Sequence, residues 1–145
     1  MIRVAIVEDE SVYVEQLTQY LRQYEEERKE GLQITCFSDG DGIVHNYRPQ
    51  YDIILMDVQM KFMDGMSAAE EIRKVDKQVI IIFITNMRQY AIRGYEVEAL
   101  DYVVKPITYF AFSERFARAV EKVKRRVQKN ILVNVRSGML RLAVA

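Results

Sequence analysis

Five short runs of apolar residues, rich in β-branched side chains, recur along the chain at nearly even spacing. They cover residues 2–7, 32–37, 53–56, 79–84 and 102–104. The runs show almost no alternation with polar residues, which is typical of strands in a parallel sheet covered by helices on both faces. The pattern therefore predicts five parallel strands.

The segments between these runs carry a helical period. Between the first two strands, apolar residues recur at three- and four-residue spacing from Val12 to Tyr24, and this predicts an amphipathic helix with Ser11 as its N-cap. Further helices are predicted over residues 39–47, 66–75, 87–95 and 108–128. Strands that alternate with helices predict an α/β fold, a flavodoxin-like (βα)5 doubly wound sheet, with its functional crevice at the carboxyl ends of the strands.

The pattern changes after residue 130. Two apolar runs, 131–135 and 139–144, flank the sequence Arg136-Ser137-Gly138, which predicts a C-terminal β-hairpin. An isolated hairpin is marginal in water, so we expect the chain to continue beyond residue 145. The predicted organisation is one domain over residues 1–125, a basic linker over 126–130, and the start of a further unit over 131–145.

Charge is distributed unevenly along the 145 residues. Lys and Arg balance Asp and Glu at 21 each, but residues 1–105 hold 12 basic and 19 acidic residues, whereas 106–145 hold 9 basic and 2 acidic ones. The length suits one domain, and the overall balance excludes a polybasic nucleic-acid module as a description of the whole chain. We interpret the basic end mainly as solvated surface, with contact to acidic partners or DNA phosphates as the alternative.

Several classes of protein are excluded by composition. The single Cys36 rules out an intrachain disulfide, and together with the single His45 it is too little for a structural zinc site. The longest apolar run has six residues, far fewer than the roughly 18 that a membrane span needs. We therefore expect a cytoplasmic protein without a membrane partner, and we interpret Cys36 as a small buried side chain.

Polar side chains stand where four of the predicted strands end. Glu8 and Asp9 follow the first strand, Asp57 the third, Thr85 the fourth and Lys105 the fifth. Three carboxylates in one small site repel one another unless a cation joins them, and such hard oxygen ligands suit Mg²⁺. With the added hydroxyl and ammonium groups, the sequence predicts a site for Mg²⁺ and a transferable phosphoryl group.

These residues, together with Tyr102 on the fifth strand and the Lys105-Pro106 pair at its end, resemble the receiver domain of bacterial two-component response regulators. The resemblance covers about residues 1–125. It implies that Asp57 accepts a phosphoryl group from a sensor histidine kinase. The chain would then be a signalling phosphoacceptor, not an enzyme, and would catalyse only its own phosphotransfer and dephosphorylation.

The resemblance also implies a role for each metal-binding residue. Asp9, Asp57 and the backbone carbonyl of Gln59 would bind Mg²⁺ directly, and Glu8 would act through a metal-bound water. Lys105 would pair with Asp57 before transfer and with the phosphate afterwards. The family usually has Asp rather than Glu at position 8, a change that alters reach more than charge.

A second set of residues would switch the surface. Thr85 would bind a phosphoryl oxygen and move towards it, which would let Tyr102 turn inward. This would rearrange the face made by the fourth helix, fifth strand and fifth helix, on which such domains form homodimers. The Lys105-Pro106 peptide is expected to be cis. Many receivers have Pro where this chain has Lys61, so Lys61 is expected to tune reaction rates at the site entrance.

A finer resemblance lies in residues 58–65 and 90–102, which look like the receivers of LytTR-type transcriptional regulators (the LytR/AlgR/AgrA type). Residues 131–145 are similar to the opening strands of a LytTR DNA-binding domain. This implies that DNA is a partner, bound through a C-terminal domain that is missing here.

Two other functions remain as alternatives. One is a Mg²⁺-dependent phosphohydrolase of similar fold for small phosphomonoesters, although phosphatases of the haloacid-dehalogenase type have a second Asp where this chain has Gln59. The other is a receiver-like interaction module that is not phosphorylated. Binding of FMN is disfavoured because the first loop, residues 8–11, is acidic where a phosphate cradle needs Gly, Ser and Thr.

Overall fold

A computed structural model of the chain describes residues 1–86, 99 and 101–144, with side chains as far as residue 138. The predicted helix over 87–95 lies outside the described residues. The strands are β1 (Ile2–Val7), β2 (Leu32–Phe37), β3 (Ile53–Met56), β4 (Ile80–Thr85) and β5 (Asp101–Val104). The described helices are α1 (Ser11–Arg28), α2 (Gly40–Val44), α3 (Gly65–Val75) and α4 (Tyr109–Val144).

The strands form a single parallel sheet in the order β2-β1-β3-β4-β5. Strand β1 pairs with β2 on one side and with β3 on the other, so Val4 lies between Ile34 and Ile53. The winding direction reverses at this point, and in such sheets the functional crevice lies outside the carboxyl ends of the two strands concerned. The predicted doubly wound α/β sheet is confirmed.

Both faces of the sheet are covered. Alternate residues of β1 point to opposite sides, and Val4 and Ile6 join one buried cluster while Ala5 and Val7 join the other. The first cluster packs against α1 and α4, and the second against α2 and α3. Burial on both faces explains why the strands lack polar alternation in the sequence.

The first helix begins one residue earlier than predicted. Glu10, not Ser11, is the N-cap, and its backbone carbonyl accepts hydrogen bonds from the amides of Tyr13 and Val14, both at 3.1 Å. Lys29 closes the helix in the left-handed conformation at φ 54°. The prediction of Ser11 as N-cap was wrong by one position.

The predicted β-hairpin is wrong. Helix α4 continues without a break through residues 126–130 and 131–144, and Gly138 does not adopt a positive φ. A helix satisfies its backbone hydrogen bonds within the segment and can extend from one already formed, whereas an isolated hairpin needs a further packing surface. The contact of α4 with the rest of the chain includes a hydrogen bond from Arg126 to the carbonyl of Gln78.

The side chains of α4 that follow this contact are open to solvent. Every described side chain from residue 127 to residue 138 is exposed, including Val127, Ile131 and Val135 on one face of the helix. In the part of the chain with described structure, no helix is both long and apolar enough to cross a bilayer.

Cys36 is exposed, which contradicts its interpretation as a buried side chain. It lies on β2, an edge strand of the sheet, whose pattern of burial is less regular than that of the central strands.

Candidate functional site

Four strand ends deliver polar side chains to one edge of the sheet. Glu8 follows β1, Asp57 follows β3, Thr85 closes β4 and Lys105 follows β5. The backbone continues to pair just past the strands, since the Asp57 amide donates to the Val7 carbonyl at 2.9 Å and the Lys105 amide to the Thr85 carbonyl at 2.9 Å. Sheet pairing therefore holds these residues in one crevice.

Three carboxyl groups meet in this crevice. Oxygen atoms of Glu8, Asp9 and Asp57 all lie within 4.8 Å of one another. Glu8 and Asp57 are only 2% and 5% exposed, while Asp9 is half-buried. Carboxylates this close are stabilised by a hard divalent cation, so the donor set fits Mg²⁺.

Lys105 supplies the positive charge that faces these acids. Its Nζ lies 2.9 Å from Oε2 of Glu8 and 3.5 Å from Oδ1 of Asp57, and its side chain is 7% exposed. Burial acts to lower the pKa of Lys105, but the hydrogen bond to Glu8 and the charge of Asp57 outweigh it and raise that pKa. The expected partner of Lys105 was Asp57, yet the longer side chain of Glu8 comes closer.

Burial and crowding shift the acids towards their protonated forms. Burial raises the pKa of Asp57 to about 7, and the neighbouring charge of Glu8 acts in the same direction, against Lys105. Burial also raises the pKa of Glu8, with the hydrogen bond from Lys105 opposing it. Without a divalent cation, the Glu8–Asp57 pair therefore retains a proton into the neutral range and titrates as a unit.

Of the two residues expected to form the switch, Thr85 is the last residue of β4 and Tyr102 lies within β5. Thr85 is fully buried. Tyr102 is half-buried and packs against the cluster on the α3 side of the sheet, and its carbonyl accepts a hydrogen bond from Arg115 at 3.4 Å. The inward movement of Tyr102 stays a prediction.

The remaining predicted site residues lie at the surface. Gln59, Lys61 and Pro106 are exposed. The Lys105-Pro106 peptide is cis, as the resemblance implied. The metal-binding role of the Gln59 carbonyl and the effect of Lys61 on rates stay predictions.

Gly65 allows helix α3 to approach Asp57 closely. Its amide donates to the Val58 carbonyl at 2.8 Å, and a Cβ atom at this position would lie 2.1 Å from the backbone oxygen of Asp57. The helix begins beside it, where the Asp64 side chain accepts from the Ser67 amide at 2.8 Å. In the sequence, Gly65 stood out as the last residue of the segment 58–65 that resembles LytTR-type receivers, not as a residue that supports the site.

Tyr13 is a site residue that the sequence reasoning missed. It lies in the first turn of α1, and the centre of its ring is 3.7 Å from Nζ of Lys105. The sequence spacing could have identified it. Tyr13 is four residues after Asp9, so it lies one turn into the helix that begins at the crevice.

Comparison with known proteins places this geometry in a family. The family model described as the response regulator receiver domain matches residues 4–116. The chain is similar to the sensory transduction protein LytT of Bacillus cereus, with 30% identity over 131 residues that cover 90% of this chain and 50% of LytT. The chain spans about half the length of the LytT relatives that it matches.

Solved structures agree with this assignment. The response regulatory domain of mrkE from Klebsiella pneumoniae superposes with a TM-score of 0.75 at 25% identity, covering 86% of this chain and 99% of that one. The receiver domain of the sensor histidine kinase PA1611 from Pseudomonas aeruginosa, solved with a magnesium ion in its active-site cleft, gives a TM-score of 0.70 at 27% identity, covering 82% and 97%. The chain therefore belongs to the response regulator receiver domain family.

Proposed function

We propose that Asp57 is the phosphoacceptor of this receiver, and that it takes its phosphoryl group from the phosphohistidine of a sensor kinase. The observation that carries the proposal is the buried Asp57 carboxyl, grouped with two further acids and within 3.5 Å of the Lys105 ammonium. A nucleophilic carboxylate, a cluster of acids and a buried cation are the components that phosphoryl transfer needs.

Each residue has a separate part in the proposed transfer. A carboxylate oxygen of Asp57 forms a bond to phosphorus as the bond between phosphorus and the kinase imidazole breaks, which leaves an acyl phosphate on Asp57. Lys105 moves its ammonium contact from the acids to the phosphoryl oxygens, and the Thr85 hydroxyl donates to another. Asp9, Asp57 and the Gln59 carbonyl would hold Mg²⁺, and Glu8 would act through a water; the bound ion would neutralise charge on the phosphoryl group.

The composition of the acidic cluster argues against the phosphohydrolase alternative. Among the described residues, only Glu8 and Asp9 join Asp57 in a carboxyl cluster, and the exposed Gln59 occupies the position where a phosphatase of the haloacid-dehalogenase type has its second acid. The non-phosphorylated module is disfavoured because the acids and Lys105 are all in place.

We propose that phosphorylation promotes homodimerisation and controls a LytTR-type DNA-binding effector, in the cytoplasm, where bacterial DNA lies. The similarity to LytT supports this proposal. Light scattering with beryllofluoride and Mg²⁺ is expected to show a doubled mass, and an unchanged mass would contradict switch-driven dimerisation of this chain.

The test of phosphoacceptor function uses acetyl phosphate as donor and intact mass as readout. With Mg²⁺, the wild-type chain is expected to gain one phosphoryl group, and Asp57→Asn to gain none. Asp52→Asn is the matched control, since Asp52 precedes the same strand at its opposite end and bonds to Arg3. Equal labelling of wild type and Asp57→Asn would contradict the proposal.

A further inference from the structure

The ring of Tyr13 covers the Lys105 ammonium. Tyr13 is half-buried and packs against the core cluster on the α1 side of the sheet, while its ring centre lies 3.7 Å from Nζ of Lys105. This distance is well within the range of a cation–π contact, and such contacts strengthen when the cation is removed from water. The Lys105 side chain is 7% exposed, so the condition is met.

The Nζ atom of Lys105 contacts carboxylate groups as well as an aromatic ring. Glu8 and Asp57 lie 2.9 Å and 3.5 Å from Nζ. The ring face of Tyr13 provides a third contact, and it offers an ammonium a favourable surface without a competing negative charge. Removal of the ring would leave a flexible four-carbon side chain with one wall of its site open to water.

We propose that Tyr13 is a positioning residue for phosphoryl transfer to Asp57. Its ring holds the Lys105 ammonium beside Asp57, where the incoming phosphoryl group needs it, and keeps water from the ammonium face that it covers. Tyr13 acts through Lys105 and does not itself contact the reacting atoms. The inference rests on the proposed phosphoacceptor function, and it adds a residue of α1 to the residues that set the rate.

The contact is made by the ring, so the hydroxyl is dispensable. Tyr13→Phe keeps the aromatic face, whereas Tyr13→Leu keeps apolar packing of similar size without it. Val12→Ala is the matched control, because Val12 is the neighbouring residue on α1 and is 70% exposed.

The first experiment measures the rate of phosphorylation by acetyl phosphate with Mg²⁺. Tyr13→Phe and Val12→Ala are expected to react within about twofold of wild type. Tyr13→Leu is expected to react about thirtyfold more slowly, the size expected for loss of a desolvated cation–π contact. A wild-type rate in Tyr13→Leu would overturn the proposal. An equally slow Tyr13→Phe would overturn it too, because the hydroxyl would then be the group that matters.

The second experiment requires no phosphate. Protons on the Lys105 ε-carbon next to an aromatic face are shielded, so their NMR resonances are expected to lie upfield in wild type and Tyr13→Phe. In Tyr13→Leu they are expected to return towards the position of an ordinary lysine. Identical Lys105 shifts in wild type and Tyr13→Leu would overturn the proposal.

The two experiments separate this inference from the proposed function. If the wild-type chain takes no phosphate while the Lys105 resonances respond to Tyr13→Leu, the phosphoacceptor function fails and the contact stands as a structural feature only. If the wild-type chain is phosphorylated at Asp57 but Tyr13→Leu changes neither rate nor shift, the function stands and the role of Tyr13 fails.

Discussion

Asp57 is buried beside a second carboxyl group, and both features favour its neutral form. Its pKa is raised from an ordinary value of 3.8 to about 7, first by burial and then by the charge of Glu8. A raised carboxyl pKa means that the folded state holds a proton that the unfolded chain has already released. The same carboxyl must lose this proton to bind a cation or attack a phosphoryl group.

The shift predicts a pH dependence of stability in the absence of divalent cations. Because the pKa is higher in the folded state, the stabilising contribution is fully present below pH 3.8 and is lost as pH rises through about 7. The free energy of unfolding, measured by urea titration in EDTA, is therefore expected to fall between pH 5 and pH 8. Asp57→Asn is expected to lose less over this interval, and an equal loss in both proteins would contradict the assignment.

Gly65 is predicted to be irreplaceable because of its distance from Asp57. A Cβ atom would lie 2.1 Å from the Asp57 carbonyl oxygen and 2.9 Å from Cγ of Met56. Gly65→Ala is expected to destabilise the fold by about 1–3 kcal/mol, the usual cost of forcing atoms into a packed interior, and to slow phosphorylation. Urea unfolding and intact mass measure the two effects.

Gly138→Ala is the matched control for Gly65→Ala. A Cβ atom at Gly138 would meet no atom within 4 Å, and the residue is exposed on α4. The free energy of global unfolding is expected to stay within about 0.5 kcal/mol of wild type, as for most surface changes. Equal destabilisation by the two alanines would show that the crowding at Asp57 is not the cause.

The sequence predicted which residues form the site more accurately than it predicted the contacts between their side chains. Glu8, Asp57, Thr85 and Lys105 were predicted from strand ends alone, because parallel strands bring their carboxyl ends to one edge. The preference of Lys105 for Glu8 over Asp57, and the ring of Tyr13 above it, depend on side-chain reach and rotamer. Side-chain rotamers are set by packing in the folded structure, so the spacing of residues along the sequence did not predict these two contacts.

At the scale of elements, strands were predicted more accurately than the C-terminal helix. The apolar residues of β1, β3 and β4 are buried in the sheet, and this burial stabilises the strand conformation. The run from residue 131 is also β-branched, yet it lies in α4, because no partner strand is present among the described residues and a preceding helix is already formed. Local propensity is a weak guide where tertiary contacts are few.

Helix and hairpin predict different outcomes for Val133→Pro. Proline in a helix interior removes a hydrogen bond and costs about 3 kcal/mol, so the helical signal in far-ultraviolet circular dichroism is expected to fall. The thermal midpoint of the domain is expected to stay unchanged, because residues 127–138 are exposed. Val133→Ala is the control, and an equal helical signal in both variants would contradict the continuous α4.

At the scale of the whole molecule, the acidic and basic parts of the sequence form different parts of the structure. The acidic part of the chain, residues 1–105, holds the sheet and the carboxyl cluster, and the basic part holds α4. Winding around β1 brings residues that are far apart in sequence into the cluster with Asp57. The fold thus assembles the proposed phosphoacceptor site from separate strand ends.

The chemical identity of residue 57 after phosphorylation tests the phosphoacceptor role of Asp57 directly. An acyl phosphate on aspartate is reduced by borohydride to homoserine, which tandem mass spectrometry locates in a peptide. After treatment with acetyl phosphate and Mg²⁺, homoserine is expected at position 57, and none when Mg²⁺ is replaced by EDTA. Homoserine at another aspartate, or equal yield with and without Mg²⁺, would contradict this role.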